Sequence, residues 1–475
     1  MGGLRQAHPG LLSVTAPSAH GGRGRALLLA LAAVGALVAL GAVGVLLWQG
    51  RPRPPRGVIL VSIDTLRADR LGCYGYARPT SPFLDRLCAE GVVFENASAP
   101  ASWTIPSHAS LLTGLYPRSH GLRRQRDRLP ADVETLADML WAEGFATGAV
   151  VNVPLLNERG FERGFESYTY VRPATDDKGA ADTINSLALS WLFRHRTERF
   201  FLFLHYYDVH SDYRALPRYR RMLVKPYQGP FRGRTSELRQ VRRRELALGE
   251  ADARHLSDLY DAGIRQLDDS LGKLFRALQR AGALGEILVI VTSDHGEEFL
   301  EHGDVLHGRT LYQELVRVPL IFWGHGVPRG RRVDAPVSLV DVLPTVRSLL
   351  GIASPLRVEG VDLSRHWSRW GRRREERPLF FEADEWIGNR DNNLRRAIQR
   401  GSHKLHYDAH ADRVELYDLE SDPGEHADLA GRDGERTAAL RAELGSFMES
   451  ERAAERRGDL SPEEAEQLRE LGYLE

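Results

Sequence analysis

Gly57-Val-Ile-Leu-Val-Ser-Ile-Asp64 is an unbroken apolar run that ends in a carboxylate. A run this short and this apolar reads as a strand buried on both faces, as in a parallel sheet. Glu286-Ile-Leu-Val-Ile-Val-Thr-Ser-Asp294 repeats the pattern, now with His295 beside the Asp. Phe200-Phe-Leu-Phe-Leu-His-Tyr-Tyr-Asp-Val-His210 and Phe145–Val151 are further strands of this kind. Amphipathic helical patterns separate them: Ser81–Glu90, Thr135–Gly144, and His255–Gly282, in which Leu256, Leu259, Ile264, Leu267 and Leu271 share a face. Buried strands alternating with helices predict an α/β class fold, a three-layer α/β/α domain around a largely parallel sheet. Ligands of such sheets bind off the C-terminal ends of the strands. Asp64, Asp294 and His295 fall at that edge, and two carboxylates with one imidazole suit a divalent cation.

Ser102-Trp-Thr-Ile-Pro-Ser-His-Ala-Ser-Leu-Leu-Thr-Gly114 follows a loop-like run and leads into a short apolar helix. Thr104 therefore stands where a loop meets a helix N-terminus, a place whose free N–H groups and dipole favour an anion. Pro106 suits the first helical turn. The same pattern also fits an ordinary capped helix.

From Thr104 to Gly114 the pattern Thr-x-Pro-Ser-His-x-x-x-Leu-Thr-Gly resembles the sulfatase signature Cys/Ser-x-Pro-Ser-Arg-x-x-x-Leu-Thr-Gly of the alkaline phosphatase superfamily. The resemblance extends over about residues 57–430 in the family's motif order. It implies an alkaline phosphatase-like fold with a small C-terminal antiparallel subdomain. It also implies one divalent metal ion (Mn, Ca, Mg or Zn) held by Asp64, Thr104, Asp294 and His295, with Thr104 as nucleophile. Many sulfatases have two adjacent Asp residues where this chain has Asp64 and Thr65, so one carboxylate ligand is missing. Asp69 is expected at the surface or behind the ligands. His108 stands where most of the family has Arg and is a candidate substrate-binding residue, as is Asn152, in a loop that lacks the family's Lys-x-His. His210 matches a substrate-binding His of the family, with Asp212 in place of the usual Pro; Asp208 either orients His210 or shapes the turn. His307 takes the place of a Lys that binds substrate and protonates the leaving group, so His210 and His307 join Thr104 as catalytic candidates. His205 is expected in or under the sheet and His302 in a loop.

Residues 1–25 are rich in Gly, Pro, Ser and Ala and read as a disordered tail. Residues 26–48 carry no charge and, at about 23 residues, are long enough to cross a ~30 Å hydrocarbon core, so they read as a transmembrane anchor. A Pro/Arg linker, 49–56, leads to the catalytic domain, 57–375. A C-terminal subdomain, 376–450, has strands expected near Leu379, Arg396, Lys404 and Val414, and a helical tail, 451–475, closes the chain. In the tail, Ser461 and Glu464 form a capping box with Pro462 in the first turn. Arginines flank the apolar span on both sides, so charge does not orient it; the resemblance implies an extracytoplasmic catalytic domain, periplasmic or extracellular.

Lys+Arg and Asp+Glu number 64 each, so net charge names no partner. Residues 214–256 are strongly basic and read either as a solvated insertion or as a rim for an anionic substrate or lipid headgroups. Nucleic acid is not expected as a partner, because no recognition fold accompanies the basic run. Two cysteines, Cys73 and Cys88, exclude a disulfide framework or a Cys-based zinc site, and Cys88 reads as a buried apolar residue.

Sulfatases use formylglycine, made from Cys or Ser; oxidising Thr104 would give a ketone, so no formylglycine is expected. The reading is a membrane-anchored, metal-dependent hydrolase of phosphate or sulfate esters, lipid or glycan linked, acting through a Thr104 covalent intermediate. Three alternatives stand beside it: a sulfuric ester hydrolase in the family's ordinary sense, a transferase of phospho-groups onto envelope lipids or glycans, and a non-catalytic membrane-tethered binding protein.

Overall fold

The structure, a computed structural model, describes residues 29, 31–33, 35, 53–157, 159–367, 377–384, 394–449, 455–456 and 461–471. Residues 1–53 and 54–475 separate as two units. Most of the 26–48 span lies outside the described residues, and among those described no helix is long and apolar enough to cross a membrane.

The central sheet has eight strands in the order Arg331–Val333, Val92–Phe94, Leu320–Gly324, Ile287–Thr292, Gly57–Ile63, Phe200–Tyr206, Ala146–Val151 and Ser167–Tyr170. All run in one direction except Leu320–Gly324, which is antiparallel to both neighbours. Gly57–Ile63 lies at the middle, hydrogen-bonded on both edges and buried along its whole length, as its unbroken apolar sequence requires. Its register sets Ser62 opposite His205 on one side and Thr292 on the other. Asp64 and the residues after Thr292 therefore leave the sheet at one edge. Two apolar layers cover the faces, one built around helix Thr104–Thr113 and one around the 31-residue helix Glu250–Arg280.

That long helix begins within the basic stretch, so the segment from Arg214 is not a free insertion. It holds two short helices, Pro217–Leu223 and Thr235–Arg242, which bury Tyr219, Leu223 and Leu238. Cys73 and Cys88 also differ from expectation. They are bonded to one another, with Cα atoms 6.3 Å apart, so Cys88 is buried as half of a cystine.

The C-terminal sheet is a four-stranded antiparallel meander, Leu379–Ala383, Arg395–Arg400, His403–Asp408 and Arg413–Asp418, backed by helix Gly434–Met448. A polar knot joins it to the catalytic layer. Glu425 accepts from Lys404 at 3.0 Å, from His406 at 2.8 Å and from the Gln313 backbone at 2.6 Å. His302, expected only as a loop residue, is central to this knot: Nδ1 lies 2.7 Å from Glu314 Oε1 and Nε2 lies 3.0 Å from the Glu425 carbonyl. Both partners can only accept, so the ring must carry a proton on each nitrogen. Burial opposes that charge, but the Glu314 carboxylate and the Glu425 carbonyl outweigh it and lift the pKa to about 9.

A histidine raised from its ordinary value adds stability that is whole below about pH 6.5 and disappears as the pH rises through about 9. The contribution is of order 2 kcal/mol. Chemical denaturation of wild type and H302Q between pH 6 and 10 should show the gap between them closing across that window; a constant gap would place His302 outside the titrating set.

Candidate active site

Three strand ends and one helix start build the site. Asp64 follows the central strand, and its N–H donates to the Tyr206 carbonyl at 2.9 Å. Asp294 and His295 follow Ile287–Thr292. The turn that carries them is fixed from within: Ser293 Oγ donates to the His295 carbonyl at 2.6 Å and accepts from the Leu66 N–H at 2.8 Å. Thr65, where many sulfatases have the second Asp, adopts a left-handed φ of 58°. Its N–H donates to Asp294 Oδ1 at 3.3 Å and its carbonyl accepts from Tyr260 Oη at 2.6 Å. Thr65 thus shapes the turn that aims both carboxylates.

Asp64, Asp294 and His295 are wholly buried, and one ligand atom from each lies within 4.8 Å of the others. Burial pushes Asp64 up to about 7, against the pull of His295. Asp294 is raised by burial and by Asp64. Neither Asp64 oxygen nor Asp294 Oδ2 accepts a hydrogen bond. His295 Nδ1 lies 2.9 Å from the Gly296 carbonyl, which fixes the proton there and leaves Nε2 as a lone pair. That Nε2 is 3.3 Å from Asp294 Oδ2 and 3.7 Å from Asp64 Oδ1. Three unpartnered carboxylate oxygens and an aimed imidazole nitrogen, buried together, fit a divalent cation.

Thr104 opens helix Thr104–Thr113, and its Oγ1 lies 3.4 Å from His295 Nε2. Trp103, at the N-cap, makes no side-chain cap, so the first-turn N–H groups face the site uncapped. Ser107 Oγ donates to the Asp294 carbonyl at 2.6 Å and ties the helix to the ligand turn.

His108 lies beneath Thr104. Its ring nitrogens meet Ser62 Oγ at 2.9 Å and the Thr104 carbonyl at 2.9 Å, and Nδ1 is 3.4 Å from Asp294 Oδ2. Both nitrogens are occupied inside the protein, so His108 supports the nucleophile turn instead of meeting a substrate. Burial holds it neutral, with a pKa near 4. The Asn152 side chain is likewise engaged: it donates to the Val171 carbonyl at 2.9 Å and accepts from the Tyr207 N–H at 3.2 Å, tying adjacent strand ends together. Asp208 caps helix Ala181–Arg194 through the Ala181 N–H at 3.1 Å, which favours the turn-shaping role over orienting His210. Asp69 pairs with Arg67 at 2.7 Å behind the site.

Three residues reach the site without having been singled out for it. His205 Nε2 lies 3.3 Å from Asp64 Oδ2. Glu297, fully buried, lies 2.9 Å from His307 Nδ1 and orients that ring. Arg242, from the basic stretch, donates to the carbonyls of Val305 at 2.6 Å and His307 at 3.0 Å and so clamps the loop that carries His307. The His295 and His307 rings are 4.4 Å apart and those of His307 and His210 5.0 Å apart, so the three imidazoles form a row leading out from Thr104. Burial, with His295 and Arg242 beside it, holds His307 well below its ordinary value. Burial and His307 depress His210 to about 3.

Residues 56–352 match the sulfatase family, and residues 301–454 match the C-terminal region described as N-sulphoglucosamine sulphohydrolase, C-terminal. Human arylsulfatase A is 29% identical over 86% of this chain and 87% of its own length. Among solved structures, one in complex with its substrate D-glucosamine-2-N,6-O-disulfate aligns at a TM-score of 0.71 and 20% identity, over 84% of this chain and 98% of that one. The phosphonate monoester hydrolase of Agrobacterium radiobacter aligns at 0.67 and 21%, over 84% of this chain and 95% of that one. The chain belongs to the sulfatase family. It is a hydrolase of sulfuric or phosphoric esters.

Adding a divalent cation should raise the melting temperature of the metal-stripped protein, by about 2.7 kcal/mol of stability at a hundredfold excess over Kd. Because Asp64 is raised to about 7, binding must release its proton, so affinity should climb as pH rises through that value. Calorimetry in two buffers of different ionisation heat reads the proton directly. D294N should lose the thermal shift, and a variant that keeps it in full would remove Asp294 from the ligand set.

Proposed function

We propose that the chain is a metal-dependent phosphoesterase in which Thr104 forms a covalent phosphothreonine intermediate. The observation that carries the reading is the position of Thr104 Oγ1: at the open end of an uncapped helix, 3.4 Å from the Nε2 of His295, a member of the buried carboxylate–imidazole cluster. A divalent cation held by Asp64, Asp294 and His295, with Thr104 beside them, supplies positive charge that stabilises the ionised hydroxyl and the ester's non-bridging oxygens.

The protein's own groups divide the remaining work. The first-turn N–H groups of the Thr104 helix draw the anionic group to the nucleophile. Thr104 Oγ1, having released its proton to solvent, attacks phosphorus, and the alcohol leaves with the bonding pair and takes up a proton from His307. His307, oriented by Glu297 through Nδ1, presents Nε2 toward the reacting groups. In the free enzyme it is neutral. The charge of a bound anionic ester favours its protonated form, which can then protonate the leaving alcohol. Neutral again, it takes a proton from the water that opens the threonine ester. His210, next in the row and stacked on Tyr207 at 4.2 Å, contacts the ester beyond the phosphoryl group.

Two sequence features support phosphorus over sulfur. Threonine cannot become formylglycine, so the intermediate cannot collapse to an aldehyde and must be opened by water. The loop at Asn152 lacks the Lys-x-His that holds sulfate in many relatives. Sulfate ester hydrolysis is the second reading, favoured by the likeness to arylsulfatase A along most of both chains. We further propose that residues 26–48 anchor the enzyme in a membrane with the catalytic domain outside the cytoplasm; the uncharged span and the Cys73–Cys88 bond support this.

T104A should fold and lose more than about 10²-fold in kcat/KM, whereas T104S should keep measurable turnover. Matched aryl phosphate monoester, phosphodiester and sulfate substrates separate the two readings. Acid quench followed by peptide mass spectrometry should find a phosphoryl group on the Thr104 peptide. Near-full activity in T104A would overturn the nucleophile, and activity confined to sulfate esters would overturn the preference for phosphorus.

A further inference from the structure

The helix Pro462–Glu470 lies beyond residue 454, where the matched family regions end, yet it docks beside the site. Leu468 anchors it: its side chain is 1% exposed and joins the core layer that contains Val153, Leu155 and Leu156 of the loop after Asn152. Leu471 packs against the same layer. On the neighbouring strand Tyr170 Oη donates to Gln467 Oε1 at 3.2 Å, and Arg172 pairs with Glu470 at 3.0 Å.

Between this helix and the sheet edge lies a cavity of about 130 Å³. Tyr207 and His210 line its inner side, and Gln467, Glu470 and Leu471 its outer side. Thr104 and the carboxylate cluster do not line it, so the cavity receives whatever extends past His210. Its lining carries two arginines, Arg172 and Arg214, against four carboxylates, Asp176, Asp208, Asp212 and Glu470, with Arg214 paired to Asp212 at 2.7 Å and Arg172 to Glu470 at 3.0 Å. Asp208 reaches the cavity with Oδ2 buried and without a hydrogen-bond partner. Gln467 has its carbonyl oxygen committed to Tyr170, while its amide nitrogen has only a 3.5 Å contact with Glu463. An amide donor and an unpartnered carboxylate oxygen lining one small cavity, with tyrosines among its walls and more carboxylates than arginines, suit an uncharged alcohol bearing several hydroxyls.

We propose that the C-terminal helix forms a substrate-contacting wall of the site and that Gln467 selects the alcohol portion of the ester. The proposal rests on the hydrolase reading above, with His210 facing the ester. The phosphoryl or sulfuryl group sits at Thr104, and the alcohol passes His210 into the cavity, where Gln467 Nε2 and Asp208 hydrogen-bond its hydroxyls. A small aryl ester does not reach them.

The test compares the full chain with Q467A and L468D, the second of which unfastens the helix. For each, kcat/KM is measured on a hexose 6-ester and on the matching 4-nitrophenyl ester, with the melting temperature checked in parallel. The hexose-to-aryl ratio should fall about tenfold in Q467A, with the aryl rate within about twofold of wild type, and L468D should lose the same preference. A ratio unchanged in Q467A overturns the role of Gln467 even if L468D fails to fold. A wild type active on aryl esters alone overturns the hydroxylated alcohol. A wild type active on neither ester overturns the hydrolase reading itself.

Discussion

Two carboxylates share one fully buried space, and the rest of the catalytic layer answers to that fact. Asp64 and Asp294 stand at the ends of adjacent strands, both raised by burial, with Asp64 close enough to make ionisation of Asp294 costlier still. Both are fully buried, and three of their four oxygens have no hydrogen-bond partner among the described residues. Such a pair persists either by keeping a proton or by taking a cation. His205 and His108 flank the pair as neutral groups, burial depressing both to about 4, so they surround the charge with polarity without cancelling it. The counter-charge is left for a ligand to bring.

The same economy governs Thr104. Its helix starts without a side-chain cap, so the N–H groups of Thr104 and Ile105, ahead of Pro106, are offered at the site beside the carboxylates. The donors call for an anion and the carboxylates for a cation. A metal ion and an ester anion together satisfy both, and each is worth more in the presence of the other. Beyond them the imidazole row carries the polar surface outward to Tyr207 and the cavity, so the route from nucleophile to solvent is lined with groups that accept or pass protons.

Much of this was readable along the chain because it is local. The strands announced themselves by unbroken apolar runs, and a carboxylate at the end of such a run has few places to go but the sheet edge. The place of Thr104 at a loop-to-helix junction was readable from the loop, the proline and the apolar helix, but an ordinary capped helix reads the same way, and only the eleven-position likeness to the sulfatase signature singled it out. The partners that arrive from elsewhere were not. Glu297 follows Asp294 by three residues but matters only because a hairpin returns His307 to it. Arg242 looked like one more charge in a basic run, and only packing of its helix against the His307 loop gives it two carbonyls to hold. His108 and Asn152 were visible as polar residues in the right places, but sequence does not show that a backbone already claims their nitrogens and oxygens. The terminal helix carried no site motif at all.

The bond between Cys73 and Cys88 closes a short loop just behind the strand that delivers Asp64. Closing a loop of about fifteen residues removes disorder from the unfolded chain and is worth about 3 kcal/mol in the chain-entropy account. The protein therefore has two stabilities, one for each redox state of this pair. A newly made chain among reducing thiols stands lower by that amount, open to unfolding and to proteases. Once oxidised it gains a margin comparable to a large share of a domain's whole folding free energy. The redox state of one pair of sulfurs thus sets how long the folded chain lasts.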